Sequence, residues 1–427
     1  MRRSSYFVSI IIILLSKLAF SQDINTEEAK KYFNELKSIA DKDSKKMWGE
    51  YLYGPVMFVN PRTREIITNE NDASGSLKNI GGVYAGRLSE RDMLANTAYE
   101  WHGKIWTMIL MPLPKSDYER RVLLVHESFH RVQEKIGLVS ASSTNNHLDE
   151  KEARILLRME WGALFKALND NAAKKLHDIK SALVFRELRR LKYPGSDESE
   201  NALEIHEGLA EYTGIKLGIG NEPDRIKYIA RRISDASGFP SFVRSFPYIS
   251  GPLYCMLLDQ TSTSWRSKLN NRSDLGAFTK NVYQINLDMN LKQTFEYIKS
   301  KYSFGKINDY EQQREIKKSE VVNEYKAKFA AGRILMIPLI NMKIQFDPRN
   351  LISLGNYGTV YPTLKIVDNW GILEVNKGAL LTPDWKKVIV TYPENISGNL
   401  LSGEGWKLTL NAGWKYLNDG INLTISK

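Results

Sequence analysis

The chain has 427 residues, 42% of them hydrophobic and 26% charged, which reads as globular and not disordered and allows two to four domains with a sizeable core. Its net charge of +11 comes from basic residues scattered among acids, as where Glu119 stands beside Arg120 and Arg121. No nucleic-acid-binding motif accompanies it, so nucleic acid is not an expected partner. Cys255 is the only cysteine, which excludes an intramolecular disulfide and a cysteine-based metal site.

Arg2 and Arg3 precede an apolar run from Phe7 to Leu15, broken only by Ser9, and Ala19-Phe20-Ser21 follows. This is the layout of a secretory signal peptide over residues 1–21, with cleavage expected before Gln22. The run falls short of the ~20 residues that cross a bilayer, and no cysteine follows it to carry a lipid anchor. Cleavage removes Arg2, Arg3 and Lys17 and no acid, lowering the net charge from +11 to +8. The expectation is an exported chain, periplasmic or secreted, with no stable membrane anchor after signal cleavage. Export without disulfides fits a bacterial protein.

Residues 22–46 carry Ala29, Tyr32, Phe33, Leu36 and Ile39 at helical spacing. From Trp48 to Pro114 short strands and turns are expected, including Leu52–Asn60 and the apolar segment Trp106–Leu113. From Ser116 to about Tyr325 the pattern is mainly helical, with breaks at 137–146, 193–199, 218–223 and 238–240. From Ile334 onward apolar alternation and turn signals recur at Asp347-Pro348, Asn356-Tyr357-Gly358, Asn376-Lys377-Gly378 and Asn418-Asp419-Gly420. The expected organisation follows: a signal peptide over 1–21; an N-terminal helix and β-rich part of a catalytic domain over 22–115; its helical part over 116–325; and a C-terminal β domain over 326–427. The fold class is α+β, a mixed strand and helix core with a helical continuation, followed by an all-β module.

The strongest chemical signal is Val125-His126-Glu127-Ser128-Phe129-His130. Ser116 and Glu119 have the spacing of a capping box, and Val122, Val125, Phe129, Val132 and Ile136 form one apolar stripe before Gly137, a C-cap residue. His126 and His130 then lie one turn apart on one helical face, where two imidazoles can share a metal, and Glu127 stands beside them to take a proton from metal-bound water. A catalytic zinc needs a third protein ligand and an open position. The three-histidine pattern requires glycine three residues after the second histidine. Gln133 stands there, so a carboxylate from another helix is expected.

Leu203 to Tyr212 supplies the best candidate. Asp197 and Glu200 mark the start of its helix, and Gly218 lies near the end. Gly208 and Ala210 are small enough to let it approach the first helix closely. Glu207 and Glu211 share a face, so one can bind zinc while the other orients a ligand imidazole. The competitor is the acidic cluster Asp149-Glu150-Lys151-Glu152, nearer to His130 in sequence and also explicable as acids favoured in a first helical turn.

The pair His126-Glu127-x-x-His130 and Glu207-Gly208-Leu209-Ala210-Glu211-Tyr212 resembles the gluzincin group of metallopeptidases over roughly residues 100–255. The resemblance implies a zincin-like core, one Zn2+ per chain held by His126, His130 and Glu207, and Glu211 as a supporting carboxylate. It implies Glu127 as catalytic base, a peptide or protein substrate, and an edge strand ahead of the active-site helix, a role for which Trp106–Leu113 stands in the right order. Such enzymes stabilise the oxyanion with a Tyr or His. Tyr248 is the candidate, with Tyr212 and His206 as rivals. Two other readings stay open, a non-catalytic envelope protein with this fold and a hydrolase acting on a non-peptide amide.

Overall fold

A computed structural model describes residues 25–139, 145–262, 264–347 and 350–427. The expected signal peptide lies outside the described residues, as do Pro348 and part of the expected break at 137–146. The chain is α+β, with a helix-rich part followed by an all-β C-terminal region. No described helix is long and apolar enough to cross a membrane. The described residues form two compact units, one of 25–88 and 96–312, the other of 89–95 and 313–427.

The first unit opens with α1 (Thr26–Asp43), where Asn25 caps the start by accepting from the amides of Glu27 and Glu28. Its apolar stripe of Ala29, Tyr32, Phe33, Leu36 and Ala40 is buried. Phe33 stacks on Phe58 at 4.7 Å and fixes this helix on the sheet. The strands are β1 (Val56–Val59), β2 (Glu65–Thr68), β3 (Lys78–Asn79), β4 (Tyr84–Arg87), β5 (Thr97–Trp101) and β6 (Lys104–Leu110), in the order β3-β4-β2-β1-β6-β5. Only β1 and β6 pair in parallel, with Val56 opposite Thr107 and Val59 opposite Leu110.

The apolar segment Trp106–Leu113, expected at a sheet edge, instead supplies a strand paired on both sides. β6 pairs with β1 on one side and β5 on the other. Its residues Trp106 to Ile109 are buried on both faces, which is why the segment reads as continuously apolar. The edge beside it is β5, whose residues are half-buried or exposed.

Helices build the rest of the unit: α2 (Asp117–Gln133), α3 (Lys151–Asn169), α4 (Ala172–Lys192), α5 (Ser196–Leu203), α6 (Leu209–Gly218), α7 (Glu222–Ala236), α8 (Pro247–Asp259), α9 (Leu275–Val282), α10 (Leu291–Ile298) and α11 (Phe304–Lys326), the last of which the division between units crosses. A π-helical turn, Glu204–Gly208, joins α5 to α6. The close approach of α6 to α2 is made by Gly214 and Gly218. A Cβ on Gly214 would stand 2.6 Å from the Val122 carbonyl oxygen, and one on Gly218 3.0 Å from the Arg121 carbonyl carbon. Gly208, expected in that role, instead faces Gly251 of α8.

The second unit holds a seven-stranded and a six-stranded sheet. At the centre of the first, Ile334–Pro338 pairs with Lys387–Thr391 and Leu423–Ser426. At the centre of the second, Gly371–Val375 pairs with Leu364–Asp368 and Trp406–Leu410. Ile337, Val388 and Val390 of one sheet share a core with Ile366, Leu373 and Leu408 of the other. Trp370 is buried in that core with its indole N–H donated to the Pro338 carbonyl at 2.7 Å, as a buried indole requires. Segment 89–95 packs on the same unit: Met93 and Ala95 lie against Val367, and Arg91 donates to Asn411 at 3.0 Å.

Candidate metal centre

α2 begins where the sequence indicates, after Ser116, but without a capping box. Ser116 makes no side-chain cap bond, and Glu119 pairs with Arg231 of α7. Ser116 still closes the first turn through its carbonyl, which accepts from the Arg120 amide at 2.9 Å. The helical register then settles the rest. Val122, Val125, Phe129 and Val132 enter the core, where Phe129 meets Trp48 at 5.0 Å between ring centroids. His126 and His130 share another face, and their Nε2 atoms are 3.1 Å apart.

Glu207 comes from the π-helical turn. Its Oε2 lies 3.5 Å from Nε2 of His126 and 3.4 Å from Nε2 of His130. Tetrahedral zinc with ligands at about 2.0–2.1 Å spaces them about 3.3 Å apart. The three observed separations bracket that value, so the donor set and its spacing fit the ion. Among the described residues, these three form the one group of His, Cys, Asp or Glu side chains whose donor atoms converge in this way.

Each histidine is oriented through its other nitrogen. Nδ1 of His126 is 3.0 Å from Oε2 of Glu211, one turn beyond Glu207. Nδ1 of His130 is 2.7 Å from Oε1 of Gln133. The Gln133 amide in turn donates to the carbonyls of Ile205 and His206 at 3.1 and 2.9 Å. Both contacts favour the tautomer that leaves Nε2 with a lone pair, as a metal ligand requires. Sequence reasoning missed Gln133, treating it only as the residue that excludes a third histidine. The available signal was its position three residues after His130, on the same face.

The buried charges of the cluster face one another. Glu127 is 5% exposed, one of its oxygens has no hydrogen-bond partner, and burial pushes its carboxyl up to about 7. Burial also disfavours a charged Glu207, yet hydrogen bonds with His126 and His130 hold its pKa well below the usual carboxylate range. At His126 burial opposes protonation, but Glu207 and Glu211 outweigh it and raise the pKa to about 10. Two buried carboxylates thus draw positive charge onto facing imidazole nitrogens, and a bound divalent ion meets the same demand.

Tyr248, near the start of α8, donates its hydroxyl to Oε2 of Glu207 at 2.7 Å, and its ring lies parallel to His126 at 5.5 Å. His206 lies over His130 at 4.6 Å between ring centroids, and burial lowers its pKa to about 3, leaving it neutral. Tyr248, His130 and His206 keep partial exposure and mark the open side of the site. Tyr212 is elsewhere, its hydroxyl on Asp259 and Arg266. The acidic cluster is elsewhere too. Asp149 accepts from the Phe242 amide and pairs with Arg154, Glu150 stands at the start of α3, and Glu152 is an exposed partner of Lys192. Compared with protein-family models, with curated proteins and with solved structures, the chain gives no significant match to any.

Proposed function

We propose that the protein is an exported zinc-dependent metallopeptidase of the gluzincin kind. The observation that carries this reading is the convergence of His126, His130 and Glu207 at zinc-ligand spacing, with the buried carboxyl of Glu127 next along the helix. His126, His130 and Glu207 hold the ion, and Glu211 and Gln133 orient the two imidazoles. Zinc, when bound, supplies Lewis acidity towards a carbonyl and acidifies water. Glu127 takes the proton from the attacking water and passes it to the leaving amine nitrogen. The Glu127 carboxyl is buried beside His126 on the same helix, with one oxygen left without a hydrogen-bond partner, and is placed for both halves of that transfer. Tyr248 has a hydroxyl donor beside Glu207 and can turn it towards the oxyanion. β5 stands at the edge of the sheet, the position at which an extended peptide can add as a further strand.

The low exposure of the donor side chains, 4% at His126 and 3% at Glu207, favours one second reading, a metal site without catalysis. Zinc content measured together with hydrolysis of a general protein substrate separates the two. The peptidase reading expects about one zinc per chain and hydrolysis that Glu127→Gln abolishes without releasing zinc. Bound zinc with no hydrolysis would favour the second.

A further inference from the structure

The first unit encloses a run of charges that the metal centre does not use. Arg186 and Arg189 of α4 are buried with Glu160 of α3, Glu200 of α5 and Glu204 of the π-helical turn. Arg189 lies between two of the acids, donating to Glu200 at 2.8 and 3.0 Å and to Glu160. Arg186 donates to Glu160 at 3.2 Å and grips Glu204 with two bonds, of 3.0 and 2.6 Å. Tyr254 donates to Glu160 at 2.7 Å, and His147 closes the far end on Glu200 at 2.8 Å.

Taking these charges out of water is costly, and apolar residues of similar volume hold helices together at least as well. What the ion pairs add is direction, because a guanidinium binds a carboxylate in a fixed fork. Glu204 opens the π-helical turn, and Glu207 lies within it. The turn closes on Gly208, which is pressed against Gly251. A Cβ on Gly251 would stand 2.4 Å from the Gly208 Cα, so backbone meets backbone there. The segment carrying Glu207 is therefore gripped at its entry by Arg186 and wedged at its exit by α8. Widened turns of this kind are rare and occur mostly at functional sites, since the backbone alone prefers the tighter helix.

We propose that Arg186 is a positioning residue for Glu207: by holding Glu204 it fixes the π-helical turn in the register that brings the Glu207 carboxylate to His126 and His130. The inference rests on the metal-binding reading of those three residues. Arg186 acts through the turn and not on the ion.

The test is the zinc dissociation constant of the full chain, measured by competition with a chromophoric chelator, with circular dichroism and thermal melting run in parallel. Arg186→Met with Glu204→Gln removes the grip without stranding a buried charge. Arg189→Met with Glu200→Gln removes the neighbouring pair, which is equally buried and whose side chains bond to each other and to Glu160 but not to the turn. The first double variant should bind zinc about 10–100-fold more weakly than the wild type, as loss of an outer support does. The second should lose comparable thermal stability and keep wild-type affinity. Unchanged affinity in the first, or an equal loss in both, overturns the proposal. Should the first double variant fail to fold, Glu204→Gln alone, which removes only the charge, decides the matter: weakened zinc binding supports the role and wild-type affinity overturns it. A wild-type protein that binds no zinc would remove the metal reading and this inference together, whereas a zinc-binding wild type with unaffected variants removes this inference alone.

Discussion

Gln133 ties His130 to the turn that carries Glu207: its Oε1 lies 2.7 Å from Nδ1 of His130 while its amide reaches the carbonyls of Ile205 and His206. One side chain thus fixes both the orientation of a candidate ligand and the distance between two ligand-bearing segments. Gln133→Leu should weaken zinc binding by about 10–100-fold. Gln133→Glu, which keeps an acceptor for Nδ1, should weaken it less. Zinc titration of the two variants checks the order, and equal affinity in Gln133→Leu and wild type would leave His130 oriented by packing alone.

The third ligand separates two carboxylate sets. Glu207→Gln should lower zinc affinity sharply, because a charged ligand becomes a weak neutral one, and Glu211→Gln should lower it about 10–100-fold. Glu152→Gln should change nothing, since that carboxylate is exposed and paired with Lys192. The reverse order, with loss at Glu152 and tolerance at Glu207, would return the acidic cluster to the lead.

Much of this centre was legible in the sequence for one reason, the helical period. Four-residue spacing placed His126 with His130 and Glu207 with Glu211, and the structure puts each pair on one face. What was not legible depends on partners distant in the chain. Gly208 and Gly214 are both glycines of one helical run, and only the tertiary contact shows that Gly214 meets α2 while Gly208 meets Gly251. The π-helical turn leaves no periodic trace in five residues. The edge strand was assigned to the more apolar segment, yet strong apolarity marks a strand covered on both sides. The half-polar Thr97–Trp101 is the one left at the edge.

The α2–α6 contact gives a stability prediction. Gly214→Ala adds a methyl 2.6 Å from the Val122 carbonyl oxygen, which the helix backbone cannot avoid. The cost should be about 1–3 kcal/mol, the range for overpacked interiors. Urea denaturation checks it. Gly162→Ala, where an added Cβ meets nothing within 4 Å, should by contrast be neutral or stabilising.

Acid should loosen the buried charge network. Burial works against the Glu200 charge, but Arg189 and His147 overcome it and hold the carboxyl well below its ordinary value of 4.5. A depressed pKa contributes stability that is fully present above the unfolded value and is lost as pH falls towards the folded one. Unfolding free energy should therefore decline as the pH drops from about 6 to about 3, and Arg189→Met with Glu200→Gln should flatten that decline. Identical pH profiles for variant and wild type would contradict the assignment.

Whether His126, His130 and Glu207 hold zinc is tested most directly by elemental analysis of the purified protein after dialysis. The expected result is about one zinc per chain in the wild type and in Glu127→Gln, with most of it lost from Glu207→Gln. A wild-type protein without zinc after reconstitution, or a Glu207→Gln variant that retains its full complement, would contradict it.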